Sequence, residues 1–80
     1  MSSLLSSTPQ SIRVNTYGVF QCILAGGTAS VQIRAAGASG FTTVKTFSAD
    51  ELVEILCPAG EVQAVLTGSA EVSVNWGDGR

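Results

Sequence analysis

Turn residues recur about every ten positions along this chain, and the runs between them are too short for anything but strands. The clusters are Asn15 to Gly18, Ala25 to Thr28, Gly37 to Gly40, Ser48 to Glu51, Pro58 to Gly60 and Thr67 to Ser69. Helices need longer uninterrupted stretches, whereas short β-favouring runs separated by Gly, Asn, Ser and Pro are the grammar of an antiparallel sandwich or barrel. The expected fold is therefore all-β: a compact antiparallel β-sandwich or barrel of about seven short strands with an extended N-terminal arm.

Side-chain alternation places the strands. Ser11 to Asn15 sets Ile12 and Val14 on one face. Val19 to Ala25 sets Phe20, Cys22 and Leu24 against Val19, Gln21 and Ile23, and apolar residues on both faces mark a central strand or one covered by a partner. Ala29 to Ala36 alternates cleanly around Val31, Ile33 and Ala35. In Phe41 to Phe47 the phase is mixed, because Phe41 and Phe47 lie opposite Val44, and a β-bulge would reconcile them. Glu61 to Thr67 and Glu71 to Trp76 alternate around Val62, Ala64, Leu66 and Val72, Val74, Trp76. Joined through Thr67-Gly-Ser-Ala70, they read as a hairpin.

One segment carries competing signals. Ser48-Ala-Asp-Glu51 has the form of a capping box ahead of Leu52, Ile55 and Leu56 on one helical face. Yet Val53, Ile55 and Cys57 also alternate with Leu52, Glu54 and Leu56, and Pro58 ends the run. A strand is expected, since an isolated helix this short is marginal in water.

Residues 1–10 show neither period and read as a Ser-rich arm, ordered by a neighbouring subunit if at all; 11–77 form the sandwich domain and 78–80 a C-terminal tail. A domain of 80 residues buries only about 62% of its chain surface by folding alone, so support from an oligomer is a reasonable expectation. Leu4, Leu5 and Pro9 of the arm, with Val19, Gln21 and Ile23 of the two-sided strand, are the candidate partner contacts.

Composition narrows the chemistry. Charged residues make up 12% of the chain, about half the usual share, which suits a surface partly covered by neighbours. The net charge is -2 and Arg13, Arg34, Lys45 and Arg80 are dispersed, so neither nucleic acid nor a membrane surface is an expected partner. Nothing resembles a signal peptide or a membrane span. With no histidine, Ser-His and Cys-His nucleophilic catalysis lack their base. Asp50, Glu51 and Glu54 read as a solvated acidic corner rather than a catalytic pair. Cys22 and Cys57 are too few for a zinc site and read as small buried hydrophobes, with a disulfide across the core as the alternative. The Gly26-Gly27 and Gly37-Ala-Ser-Gly40 turns lack the Lys-Ser/Thr and helix of a phosphate loop. No enzyme activity, metal, cofactor or small-molecule substrate is expected.

The stretches Ala29-Ser-Val-Gln-Ile-Arg34, Gly37-Ala-Ser-Gly40 and Phe41-Thr-Thr-Val-Lys-Thr-Phe47, closed by Pro58-Ala-Gly60, Glu61-Val-Gln-Ala-Val-Leu66 and Thr67-Gly-Ser-Ala-Glu-Val-Ser-Val74, resemble small β-rich virion proteins of tailed bacteriophages. The resemblance covers residues 19–76. It departs at Gln63-Ala64, where family members often carry an aromatic-Arg pair. It implies a capsid decoration (cement) protein or related head or tail subunit, assembled in the host cytoplasm into the virion. Its implied partners are copies of itself, often as a trimer, and the major capsid protein or another virion protein. The alternative is a carbohydrate-binding or adhesion module of a phage tail or fibre, with Trp76 and Tyr17 as stacking residues.

Overall fold

The computed structural model describes residues 2–12 and 16–76, all of them in strands or the short loops between strands. Val14, Asn15 and the tail at 78–80 lie outside the described residues, as does the Trp76 side chain. Eight strands follow in order: β1 (Ser2–Leu4), β2 (Gln10–Ile12), β3 (Thr16–Ile23), β4 (Thr28–Ala35), β5 (Thr42–Phe47), β6 (Glu51–Cys57), β7 (Gly60–Thr67) and β8 (Glu71–Trp76). Each of the seven runs read from the sequence contains a strand among its described residues, and β1 is an eighth.

They form two antiparallel four-stranded sheets, in the orders β1-β8-β3-β6 (sheet A) and β2-β7-β4-β5 (sheet B). The pairing is nested. β4 pairs with β5, β3 with β6, β2 with β7 and β1 with β8, while β8 and β7 also contact β3 and β4. This eight-stranded double-sheet arrangement is the jelly roll.

Nesting follows from where each turn sends the chain. Only the β4–β5 connection stays within a sheet; every other one crosses between layers. The expected β7–β8 hairpin is therefore an arch: Thr67 to Ala70 carries the chain from sheet B to sheet A, closed by the Ala70 N–H donating to the Thr67 carbonyl at 3.3 Å. A tight glycine turn fits either outcome. What decides it is the long-range pairing that occupies both edges of β7 and of β8.

Alternation fills the space between the sheets. Phe20 and Cys22 from β3 and Val72 and Val74 from β8 face Val31 from β4 and Val62 and Ala64 from β7, all essentially inaccessible to water. In the 48–57 segment, Glu51–Cys57 is strand β6, as expected, and Ser48 to Asp50 form the bend before it. Its Asp50 caps no helix; the carboxylate instead accepts the Leu24 N–H at 2.9 Å, satisfying the end of β3. The expected bulge is present too. Val31 pairs with Lys45 and Gln32 with Thr43, which leaves Val44 as the extra residue of β5. It sends Phe47 into the core and leaves Phe41 beneath the Arg34 guanidinium, 4.9 Å from the ring centre.

The N-terminal segment is the main departure from expectation. Its backbone bonds are made within its own chain: β1 pairs with β8, the Leu5 N–H donates to the Val72 carbonyl at 2.8 Å, and the Ser6 carbonyl accepts the Ala64 N–H at 2.9 Å. The segment thus bridges the two sheets at one side, and Leu5, read as a partner contact, is 3% exposed in the core. Two adjacent leucines are too few to show a period, so alternation gave no signal there. Leu5→Ala should destabilise the fold by about 2–4 kcal/mol, whereas exposed Leu4→Ala should change it by under about 0.5 kcal/mol, both read by urea denaturation.

Two corners of the sandwich meet at Gly27. The Thr28 N–H donates to Thr67 Oγ1 at 2.9 Å, and the two threonine hydroxyls lie 2.7 Å apart. A Cβ on Gly27 would overlap the Thr67 carbonyl oxygen, whereas Gly26, at φ 86°, has open space around it. Gly26→Ala should therefore cost about 1 kcal/mol through backbone strain alone, and Gly27→Ala about 2 kcal/mol or more, a ranking that thermal melts would check.

Candidate protein-contact face on sheet A

The two outer faces of the sandwich differ in chemistry. On sheet B the outward residues form a polar ladder: Gln63 Nε2 donates to Gln32 Oε1 at 2.6 Å, and Gln32 Nε2 donates to Thr43 Oγ1 at 3.1 Å. Arg34 and Glu61 form an ion pair beside it, and the guanidinium is the partner of the buried Glu61 Oε1. Val44 and Val65, each a little under half exposed, are its apolar interruptions. Such a face is satisfied in water.

Sheet A turns out apolar side chains instead. Cross-strand register sets Tyr17 beside Leu56, Val19 between Asn75 and Glu54, Gln21 between Ser73 and Leu52, and Ile23 beside Glu71, with Leu4 beyond Ser73. Tyr17, Leu52 and Leu56 are each more than half exposed. Val19 and Ile23 are about 40% exposed. The apolar residues thus meet directly at Tyr17 and Leu56 and otherwise on the diagonals of the β3–β6 ladder, with Gln21 and Glu54 between them, a clustering of the kind that marks an interaction site.

Four of the sequence-predicted contacts share this face: Leu4, Val19, Gln21 and Ile23. Leu5 does not, being in the core, and Pro9 is exposed in the β1–β2 crossing. The sequence reading missed Leu52 and Leu56. Their signal was the apolar run at 52–57, where helical and strand periods overlapped and hid which residues share a face. Tyr17, read only as a possible stacking residue, belongs to the same patch.

No family model, curated protein or solved structure matches the chain.

Charge on this face is one-sided. Its charged residues are Glu54 and Glu71, and it carries no cation among the described residues. Arg34 and Lys45 are engaged elsewhere, Arg34 with Glu61 and Lys45 with Glu51, Nζ to Oε2 at 3.1 Å. An open cleft of about 500 Å³ lies at one end of the sandwich, lined by Arg34, Gly37, Gly60 and Glu61 among others. Its two charged groups neutralise one another, which leaves it little to recognise a ligand with.

The thiols are free, buried and far apart. Cys22 pairs in register with Glu51 and Cys57 with Thr16, so they sit at opposite ends of the β3–β6 ladder. Six strand residues separate them, about 20 Å, against the roughly 7 Å limit between Cα atoms for a disulfide. The core hydrophobe reading holds and the disulfide alternative is ruled out by register. Burial pushes the Cys22 thiol up, as do the nearby Asp50 and Glu51 carboxylates. Burial pushes Cys57 up to about 11, partly offset by a backbone hydrogen bond from Gly18.

A raised thiol pKa disfavours the folded state once the unfolded thiol ionises. Stability should fall by about 2–3 kcal/mol as pH rises from about 9 to 11, because the unfolded chain loses a proton that the native Cys57 retains. Denaturant curves of the wild type and Cys57→Ala across that range isolate the contribution, since the variant lacks that part of the slope. Ellman's reagent at pH 8 should find no reactive thiol in native protein and two after denaturation.

Proposed function

We propose that this protein is a structural subunit of a virion, a capsid decoration or cement protein, whose activity is adhesion of the sheet A face to a neighbouring protein. The observation that carries the reading is the asymmetry of the sandwich. One broad side is polar and internally bonded, while the other exposes Tyr17, Val19, Ile23, Leu52 and Leu56.

Size and energy are consistent with it. The molecule measures 34 × 26 × 17 Å, so its broad side can supply the roughly 800 Å² per partner that stable complexes bury. Each apolar side chain covered would contribute on the order of 1 kcal/mol. The jelly roll adds fold-level analogy only, because it serves viral capsid and lectin domains alike. The resemblance across residues 19–76 points to phage virions, with the major capsid protein and further copies of the chain as partners.

Exposed Tyr17 favours a second reading, a carbohydrate-binding module of a tail or fibre, in which an aromatic ring stacks on a sugar. Glycan-array binding lost in Tyr17→Ala would select that reading.

The primary test is native purification from the producing host, with electron microscopy and mass analysis of whatever particle retains the protein. Substituting Val19 and Leu52 together by Ser should reduce occupancy on that particle at least about tenfold, while the melting temperature of the isolated domain moves by only a few degrees. Unchanged occupancy would show that the face is not the contact surface.

A further inference from the structure

The four edges of the two sheets are not equally guarded against an added strand. β1 and β2 are three residues each. β5 is broken by the bulge at Val44, and its Lys45 opposes the buried Val31, on the core side of the edge. Short strands, bulges and inward-pointing charges are the usual defences of an exposed edge. β6 has one of them, and only at its first residue, where Glu51 opposes the buried Cys22 and pairs with Lys45; from Leu52 onward it has none. It runs seven residues in unbroken register with β3, and Glu51–Cys57 holds no proline, glycine or cation.

Side chains along β6 define what could lie beside it. Val53 and Ile55 pack against the core but remain only partly covered, as expected where a sheet stops one strand early. On the outer side Leu52, Glu54 and Leu56 alternate apolar, acidic, apolar. A second copy fits poorly. Antiparallel self-pairing about Glu54 matches Leu52 with Leu56 but sets two Glu54 carboxylates against each other, and shifting the centre to Val53 or Ile55 seats each carboxylate against a leucine. Like charges directly opposite are unfavourable.

We propose that the edge of β6 left without a strand partner among the described residues accepts an extended segment of a different protein, which adds a strand to sheet A with a Lys or Arg opposite Glu54 and apolar residues on both sides of it. Main-chain hydrogen bonds to the edge would supply the affinity, and the Leu-Glu-Leu alternation would supply the selectivity. The inference rests on the reading of sheet A as the contact side, and assigns that contact a mode and a partner chemistry.

The probe is a labelled synthetic peptide, Thr-Leu-Val-Lys-Val-Leu-Thr on a Gly-Ser solubilising tail, with its Lys-to-Glu counterpart as control. Titrated into the ¹⁵N-labelled full chain, the Lys peptide should bind saturably, shift β6 amides most and slow their hydrogen exchange. The Glu peptide should bind about tenfold more weakly, and Glu54→Lys should invert that preference. No saturable binding, shifts centred away from β6, or a preference unmoved by Glu54→Lys would each overturn the proposal. Concentration-dependent dimers in sedimentation that protect β6 amides would also overturn it, in favour of self-pairing. If these tests fail while the Val19 and Leu52 substitutions still strip the protein from its particle, the edge assignment is wrong and the contact face stands. Peptide binding that passes beside an unaltered particle occupancy gives the reverse result.

Discussion

A four-stranded sheet with a row of valines along one side cannot stand alone in water, and in this chain neither sheet is contiguous in sequence. Six of the seven connections carry the backbone from one layer to the other. Packing of Phe20, Val72 and Val74 against Val31, Val62 and Ala64 is therefore not an embellishment of two preformed sheets. It is the condition under which either sheet exists. Leu5 and the Ser6 to Ala64 hydrogen bond depend on that layer spacing, because together they tie the N-terminal segment to both sheets.

The features legible in the sequence were those governed by local rules. Alternation located seven strands, and the conflicting phase of Phe41, Val44 and Phe47 foretold a bulge that the register bears out. Pro58 and the β character of its neighbours resolved residues 51–57 as strand. What the sequence could not display was partnership between distant segments. Thr67-Gly-Ser-Ala70 looks the same whether it closes a hairpin or arches between layers, and Leu4-Leu5 carries no period although one leucine faces water and the other the core. The candidate face was half visible for the same reason. Alternation exposed its β3 half at Val19 and Ile23, whereas its β6 half became a face only through the β3–β6 register.

The division of labour between the two faces gives the molecule a direction. Sheet B spends its polar groups on one another through Gln63, Gln32 and Thr43, with Arg34 and Glu61 alongside, and so asks little of its surroundings. Sheet A leaves its outward apolar residues uncovered, and the outer-face carboxylates Glu54 and Glu71 without a described cation beside them. A small domain with a lean core gains most from association when the face it offers is the one water solvates least well.

The nested pairing also bears on how such a chain can reach its native state. Only β4 and β5 are neighbours both in sequence and in the sheet, so theirs is the one ladder that closes a short loop. Once it has formed, β3 and β6 lie at the two ends of a hairpin already drawn together, and β2 with β7, then β1 with β8, face the same shortened gap in turn. Each layer of pairing lowers the entropy of closing the next. A fold dominated by contacts between distant residues, of the kind that folds slowly, thereby offers a route on which no step has to span the whole chain unaided.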